Sequence, residues 1–149
     1  MALDPYAFPP VERFNALHVL IIDPDIRSAQ LTRKALASLS VTKTYIAREP
    51  SEILALLAEK PIDLIMAEWD TKTNGALAFT QELRNASPLA LAMLPVILTT
   101  PQRDAPELRR AADSGADEVL IRPFSTRSML ECLSSIVDHP KGFVIAPSY

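Results

Sequence analysis

Short, unbroken apolar runs constrain this chain more than anything else in it: Val19-Leu20-Ile21-Ile22, Leu64-Ile65-Met66-Ala67, Val96-Ile97-Leu98 after Pro95, and Val119-Leu120-Ile121. Runs of this length without polar alternation suit strands covered on both faces, as in a parallel sheet. Thr44-Tyr45-Ile46 adds a brief β-prone stretch. Between the strands lie segments with helical spacing. Leu31, Ala35, Leu36 and Leu39 mark the first helix, and Pro50-Ser51 opens the second, with Ile53, Leu56 and Leu57 on one face. A polar loop and Gly75 lead to a third helix carrying Phe79 and Leu83. Asp104 is placed to cap a fourth, and Gly115 to close it as a left-handed residue. Ser125 caps the fifth, whose inner side carries Met129, Leu133, Ile136 and Val137. Strand and helix alternating in this order predict a doubly wound α/β fold, its parallel sheet covered on both faces by right-handed crossovers.

A length of 149 residues fits one domain. Pro5, Pro9 and Pro10 mark residues 1–16 as an N-terminal extension, 17–139 as the domain and 140–149 as a C-terminal tail. The tail ends on apolar and aromatic residues, suited to folding back or to docking. Hydrophobic residues at 48% and charged ones at 22% give a globular balance. A net charge of −3 gives no reason to expect DNA binding. The single cysteine, Cys132, excludes an intrachain disulfide and reads as a small packed hydrophobe. No apolar run approaches the ~20 residues of a membrane span, and the N-terminus lacks the pattern of a secretory signal, so a cytoplasmic location is expected. His18 and His139 have no metal-ligand spacing and read as boundary residues. Three glycines are too few for a glycine-rich phosphate loop, and no hydrolase, zincin or dinucleotide motif is present.

In open parallel sheets, functional groups gather at the carboxyl ends of the strands. Those ends present Asp23, Pro24 and Asp25, then Glu68, Trp69 and Asp70, then Thr99 and Thr100, and finally Arg122 before Pro123. Acids, a hydroxyl and a cation on one rim have the chemistry to hold Mg²⁺ and a phosphoryl group. The same residues at strand ends also serve simply to cap the helices that follow.

Four segments, "VLIIDPDIR", "PIDLIMAEWD", "LPVILTT" and "GADEVLIRPF", together resemble the response-regulator receiver family over roughly residues 17–139. The resemblance implies a flavodoxin-like strand order 2-1-3-4-5 and a place in two-component signalling. It aligns Asp23 with a metal-binding acid, Glu68 with the phosphoacceptor, Thr100 with the switch hydroxyl and Arg122 with the lysine of the motif. It also implies weak Mg²⁺ binding at most, through Asp23, Asp25 and Glu68, and no other cofactor.

The departures are as informative as the matches. Pro24 offers no ligand where the family has a second acid, leaving Asp25 to cap the next helix, to substitute as a ligand, or both. Glu68 places its carboxylate one methylene further out than an aspartate, and in-line attack tolerates little misplacement. The loop to Gly75 is one residue short, with Asp70 as an alternative acceptor. Arg122 carries a fork suited to carboxylates where the family has a point charge. Val119 stands where the family has a switch aromatic and has no ring to swing. A Glu68–Arg122 bridge is one consequence, either imitating the active state or left by drift after phosphorylation was lost.

Two readings compete. One is a stand-alone, non-enzymatic pseudo-receiver that binds signalling proteins, a histidine kinase or a downstream target, through its fourth helix, fifth strand and fifth helix. The other is a phosphorylatable regulator using Glu68 or Asp70 with Mg²⁺. A third assigns anion or nucleotide binding to Arg103, Arg109 and Arg110. None involves DNA or a membrane, and a homodimer is left open.

Overall fold

The computed structural model describes residues 14–69, 75–101 and 104–138. Its elements run β1 His18–Ile22, α1 Ile26–Ala37, β2 Lys43–Ala47, α2 Pro50–Glu59, β3 Leu64–Glu68, α3 Gly75–Arg84, α4 Leu89–Ala92, β4 Val96–Thr100, α5 Ala105–Asp113, β5 Glu118–Ile121 and α6 Thr126–Asp138. The strands form one parallel sheet in the order β2-β1-β3-β4-β5. The short α4 between α3 and β4 lies beyond the sequence expectation. The fourth and fifth helices foreseen above are therefore α5 and α6.

Strand alternation divides the core in two. Val19, Ile21, Leu64, Met66, Ile97 and Leu120 face one way, against Ala29 and Leu36 of α1 and Met129, Leu130 and Leu133 of α6. Leu20, Ile65, Ala67, Val96 and Leu98 face the other way, against Ile53 of α2, Leu77 and Leu83 of α3, and Ala111 of α5. Phe14, foreseen as part of the extension, is buried with the first group.

The helix starts follow capping chemistry. Asp25 caps α1, accepting from Arg27 N at 2.9 Å. Ser125 Oγ accepts from Ser128 N at 3.1 Å before α6. Asp104 occupies the N-cap of α5 without a side-chain cap bond. Leu31 lies in α1 as foreseen and points outward, 64% exposed, while the helix turns Ala29, Thr32 and Leu36 to the sheet.

At the bottom of α5, Gly115 has φ 99°, a left-handed conformation that glycine adopts without penalty. Its carbonyl accepts from Arg84 Nε at 2.9 Å. Arg84 Nη1 also donates to the carbonyls of Ala92 and Leu94, and Nη2 to Asp117 Oδ2 at 2.9 Å. The same Asp117 oxygen accepts from Val96 N. One guanidinium thus ties α3, α4, the start of β4 and the approach to β5. Burial pulls the Arg84 pKa below its ordinary value, with Asp117 opposing.

Candidate functional site at the strand ends

The strand order reverses between β1 and β3, so their carboxyl ends open a crevice there. Side-chain parity decides which residues meet in it. Asp23, Glu68, Thr99 and Arg122 each lie two positions beyond Ile21, Met66, Ile97 and Leu120, which all face α1 and α6. Glu68 and Thr99 are direct partners in the β3–β4 register.

The resulting cluster is compact. Thr99 Oγ1 donates to Glu68 Oε2 at 2.7 Å. Arg122 Nη2 reaches the same oxygen at 2.8 Å and lies 3.6 Å from Asp23 Oδ2. Arg122 Nη1 donates to the Ser28 hydroxyl of α1. Its backbone N–H extends the sheet by donating to Thr100 O at 2.8 Å, and its guanidinium carbon stands 5.9 Å from the Phe124 ring centroid. Asp23 is 1% exposed. Its Oδ1 accepts from Asp25 N at 2.9 Å, while Oδ2 has no hydrogen-bond partner. The Glu68–Arg122 pair is more enclosed than a surface bridge, each side chain being about one-fifth exposed.

Of the residues singled out from sequence, the fold brings Asp23, Glu68, Thr99 and Arg122 together. Asp25 is exposed, and its Oδ1 is engaged by the first turn of α1. Thr100 is buried on the opposite parity, toward the second core. Asp70, Arg103, His139 and the tail lie outside the described residues. Arg109 is exposed on α5, where Arg110 pairs with Glu107 at 3.1 Å. Cys132 is buried, its thiol pushed up to about 11 by burial first and by Glu118 and Glu131 after it. His18 stacks on Tyr45 and shares a 2.8 Å hydrogen bond with its hydroxyl.

Ser28 was missed, and Thr99, named at its strand end, was given no role of its own. Counting parity from Ile97 would have set Thr99 beside Glu68. Ser28 carries no sequence signal, since its place depends on how α1 packs.

Beside the cluster, between α2 and α3, lies a cleft of about 400 Å³. Ile22, Ile53, Ala67 and Phe79 line it, with Arg48, Glu49 and Glu82 among its polar groups. Arg48 Nε donates to the Pro24 carbonyl at 3.3 Å.

A five-stranded 2-1-3-4-5 sheet with acids, a hydroxyl and a cation at its switch point defines a receiver-type signalling domain. Residues 19–134 match the response regulator receiver domain family, and the chain belongs to that family. It is 26% identical over 120 residues to a probable chemotaxis protein CheY of Rhizobium etli, covering 80% of this chain and 92% of that one. It is also 26% identical over 121 residues to the DNA-binding transcriptional regulator NtrC of Salmonella typhimurium, covering 81% of this chain but only 25% of the longer protein. Among solved structures, the signal receiver domain of a DNA binding response regulator protein from Colwellia psychrerythraea superimposes with a TM-score of 0.71 at 20% identity, covering 82% and 98% of the two chains.

Receiver domains typically bind Mg²⁺ at this rim. The residues here do not fit the ion well. A guanidinium lies between the two converging carboxylates, and Asp25 is engaged elsewhere. Among the described residues, no group of three or more His, Cys, Asp or Glu side chains is arranged to hold a metal.

Proposed function

We propose that this receiver domain works without phosphorylation, as a non-enzymatic module that binds signalling proteins, with a cytoplasmic kinase or downstream target as its partner. One observation supports this reading above the rest. The carboxylate oxygen at the phosphoacceptor position, Glu68 Oε2, accepts from Thr99 and is ion-paired to Arg122 at once. A nucleophile must present a lone pair in line with the phosphorus. An oxygen held by two donors on a longer side chain is poorly disposed to do so. Val119 supports the same reading, because a partly buried valine has no ring with which to relay a hydroxyl movement.

The working surface in this proposal is the face of α5, β5 and α6. Arg109 is exposed there, and α5 buries Ala111 alone.

The test is phosphorylation itself. The protein is treated with acetyl phosphate and Mg²⁺ and followed by intact mass, and with beryllofluoride and Mg²⁺ and followed by backbone amide NMR. No mass gain and no shifts at Asp23, Glu68, Thr100 and Arg122 are expected. A phosphoryl mass increment, or shifts spreading into α5 and α6, would instead establish a phosphorylatable regulator using Glu68 or Asp70.

A further inference from the structure

Two carboxylates, Asp23 and Glu68, converge on one group at the rim, and that group is a guanidinium. Arg122 Nη2 stands 2.8 Å from Glu68 Oε2 and 3.6 Å from Asp23 Oδ2. The second arm, Nη1, is tethered to Ser28 of α1. Asp23 is 1% exposed and its Oδ2 lacks any hydrogen-bond partner. A buried carboxylate oxygen without a hydrogen bond requires positive charge close by. Here Arg122 provides it.

We infer that Arg122 is a built-in substitute for the divalent cation, and that Asp23 and Glu68 form a latent cation site which the guanidinium keeps closed. The inference deepens the phosphorylation-independent reading and rests on it. One guanidinium set against the two carboxylates offsets half of their negative charge. Without the guanidinium, the almost wholly buried Asp23 would lose the positive charge beside its unbonded oxygen. A hard divalent ion with oxygen ligands corrects that imbalance, and one or two carboxylates plus water suffice for Mg²⁺. Asp23 and Glu68 supply that number without Asp25. Ser28 is a positioning residue, since its hydroxyl holds one arm of the fork so that the other meets the acids.

The experiment compares the full chain with its R122Q variant in MgCl₂ up to roughly 10 mM, far enough above a weak site's dissociation constant to register as stabilisation. Trp69, the only tryptophan, is fully buried next to Glu68 and reports Mn²⁺ binding by fluorescence quenching. Wild type is expected to show no saturable quenching and an unchanged Tm. R122Q is expected to quench saturably and to gain about 4 °C or more in Tm. If R122Q is unfolded in chelator, added Mg²⁺ restores its folded circular dichroism spectrum.

Saturable binding by wild type would overturn the inference. So would an R122Q protein that neither binds nor is rescued. No phosphoryl donor is present, so the two readings fail separately. Metal binding by wild type without phosphorylation removes the substitute-cation inference alone, whereas a phosphoryl mass increment removes the reading beneath it.

Discussion

The Thr99 hydroxyl donates to Glu68 Oε2 at 2.7 Å, across a β3–β4 pair in direct register. Thr99 is 2% exposed and the Glu68 side chain about one-fifth, so the bond is largely shielded from bulk water. Thr99→Val keeps the β-branched shape and removes the hydroxyl, which donates to Glu68 and accepts a longer bond, 3.4 Å, from Arg122 Nη2. A loss of about 1–2 kcal/mol is expected, as a lower urea midpoint with unchanged slope. An unchanged midpoint would mean that the Thr99 hydroxyl contributes no net stability.

Arg84 satisfies three backbone carbonyls and pairs with Asp117 at 2.9 Å. Arg84→Ala strands those acceptors and removes the cation beside the largely buried Asp117 carboxylate, and should cost roughly 3 kcal/mol or more. Arg84→Lys keeps the charge but loses the fork, and chemical denaturation should place it between the two. Equal stability of Arg84→Lys and wild type would show that charge alone matters here.

Gly115→Ala meets two obstacles. The backbone at φ 99° disfavours any L side chain, and an added Cβ would stand 3.0 Å from Arg84 Cγ. The expected cost is about 1–2 kcal/mol, read as a lower Tm. In an Arg84→Ala background the contact is gone and only the backbone part of the cost should remain.

Cys132 should give alkaline stability a distinctive slope. Its thiol is raised from 9.0 to about 11 by burial, with Glu118 and Glu131 adding to the shift. The unfolded chain therefore releases this proton first as pH rises. The stabilisation is fully present below pH 9.0 and is lost as pH climbs through about 11. Urea midpoints measured across that window should fall more steeply for wild type than for Cys132→Ala. Parallel slopes would show that the thiol titrates normally.

Much of this architecture was legible from residue order. Unbroken apolar runs separated by helix-period segments led to the parallel sheet, and acids after the first and third runs led to the rim. The bridge between Glu68 and Arg122 was readable because a longer acid and a forked cation had replaced their family counterparts together. Thr100 was preferred over Thr99 because the resemblance aligns a motif and ignores parity, which sends Thr99 to the face shared with Glu68. Arg84 went unnoticed because its acceptors come from segments distant in sequence, assembled only when α3 packs beside β4 and β5.

The 2.8 Å contact between Glu68 and Arg122 also carries a consequence for how either residue can be replaced. Each partner has a length and shape suited to the other. Shortening the acid alone withdraws it from the fork, and replacing the fork alone leaves the acid and Asp23 with a poorer counter-charge. Stepwise exchange toward an aspartate–lysine pair therefore passes through a mismatched pair whichever change comes first. The two residues are coupled, and exchanging them together keeps a matched pair that exchanging either alone does not.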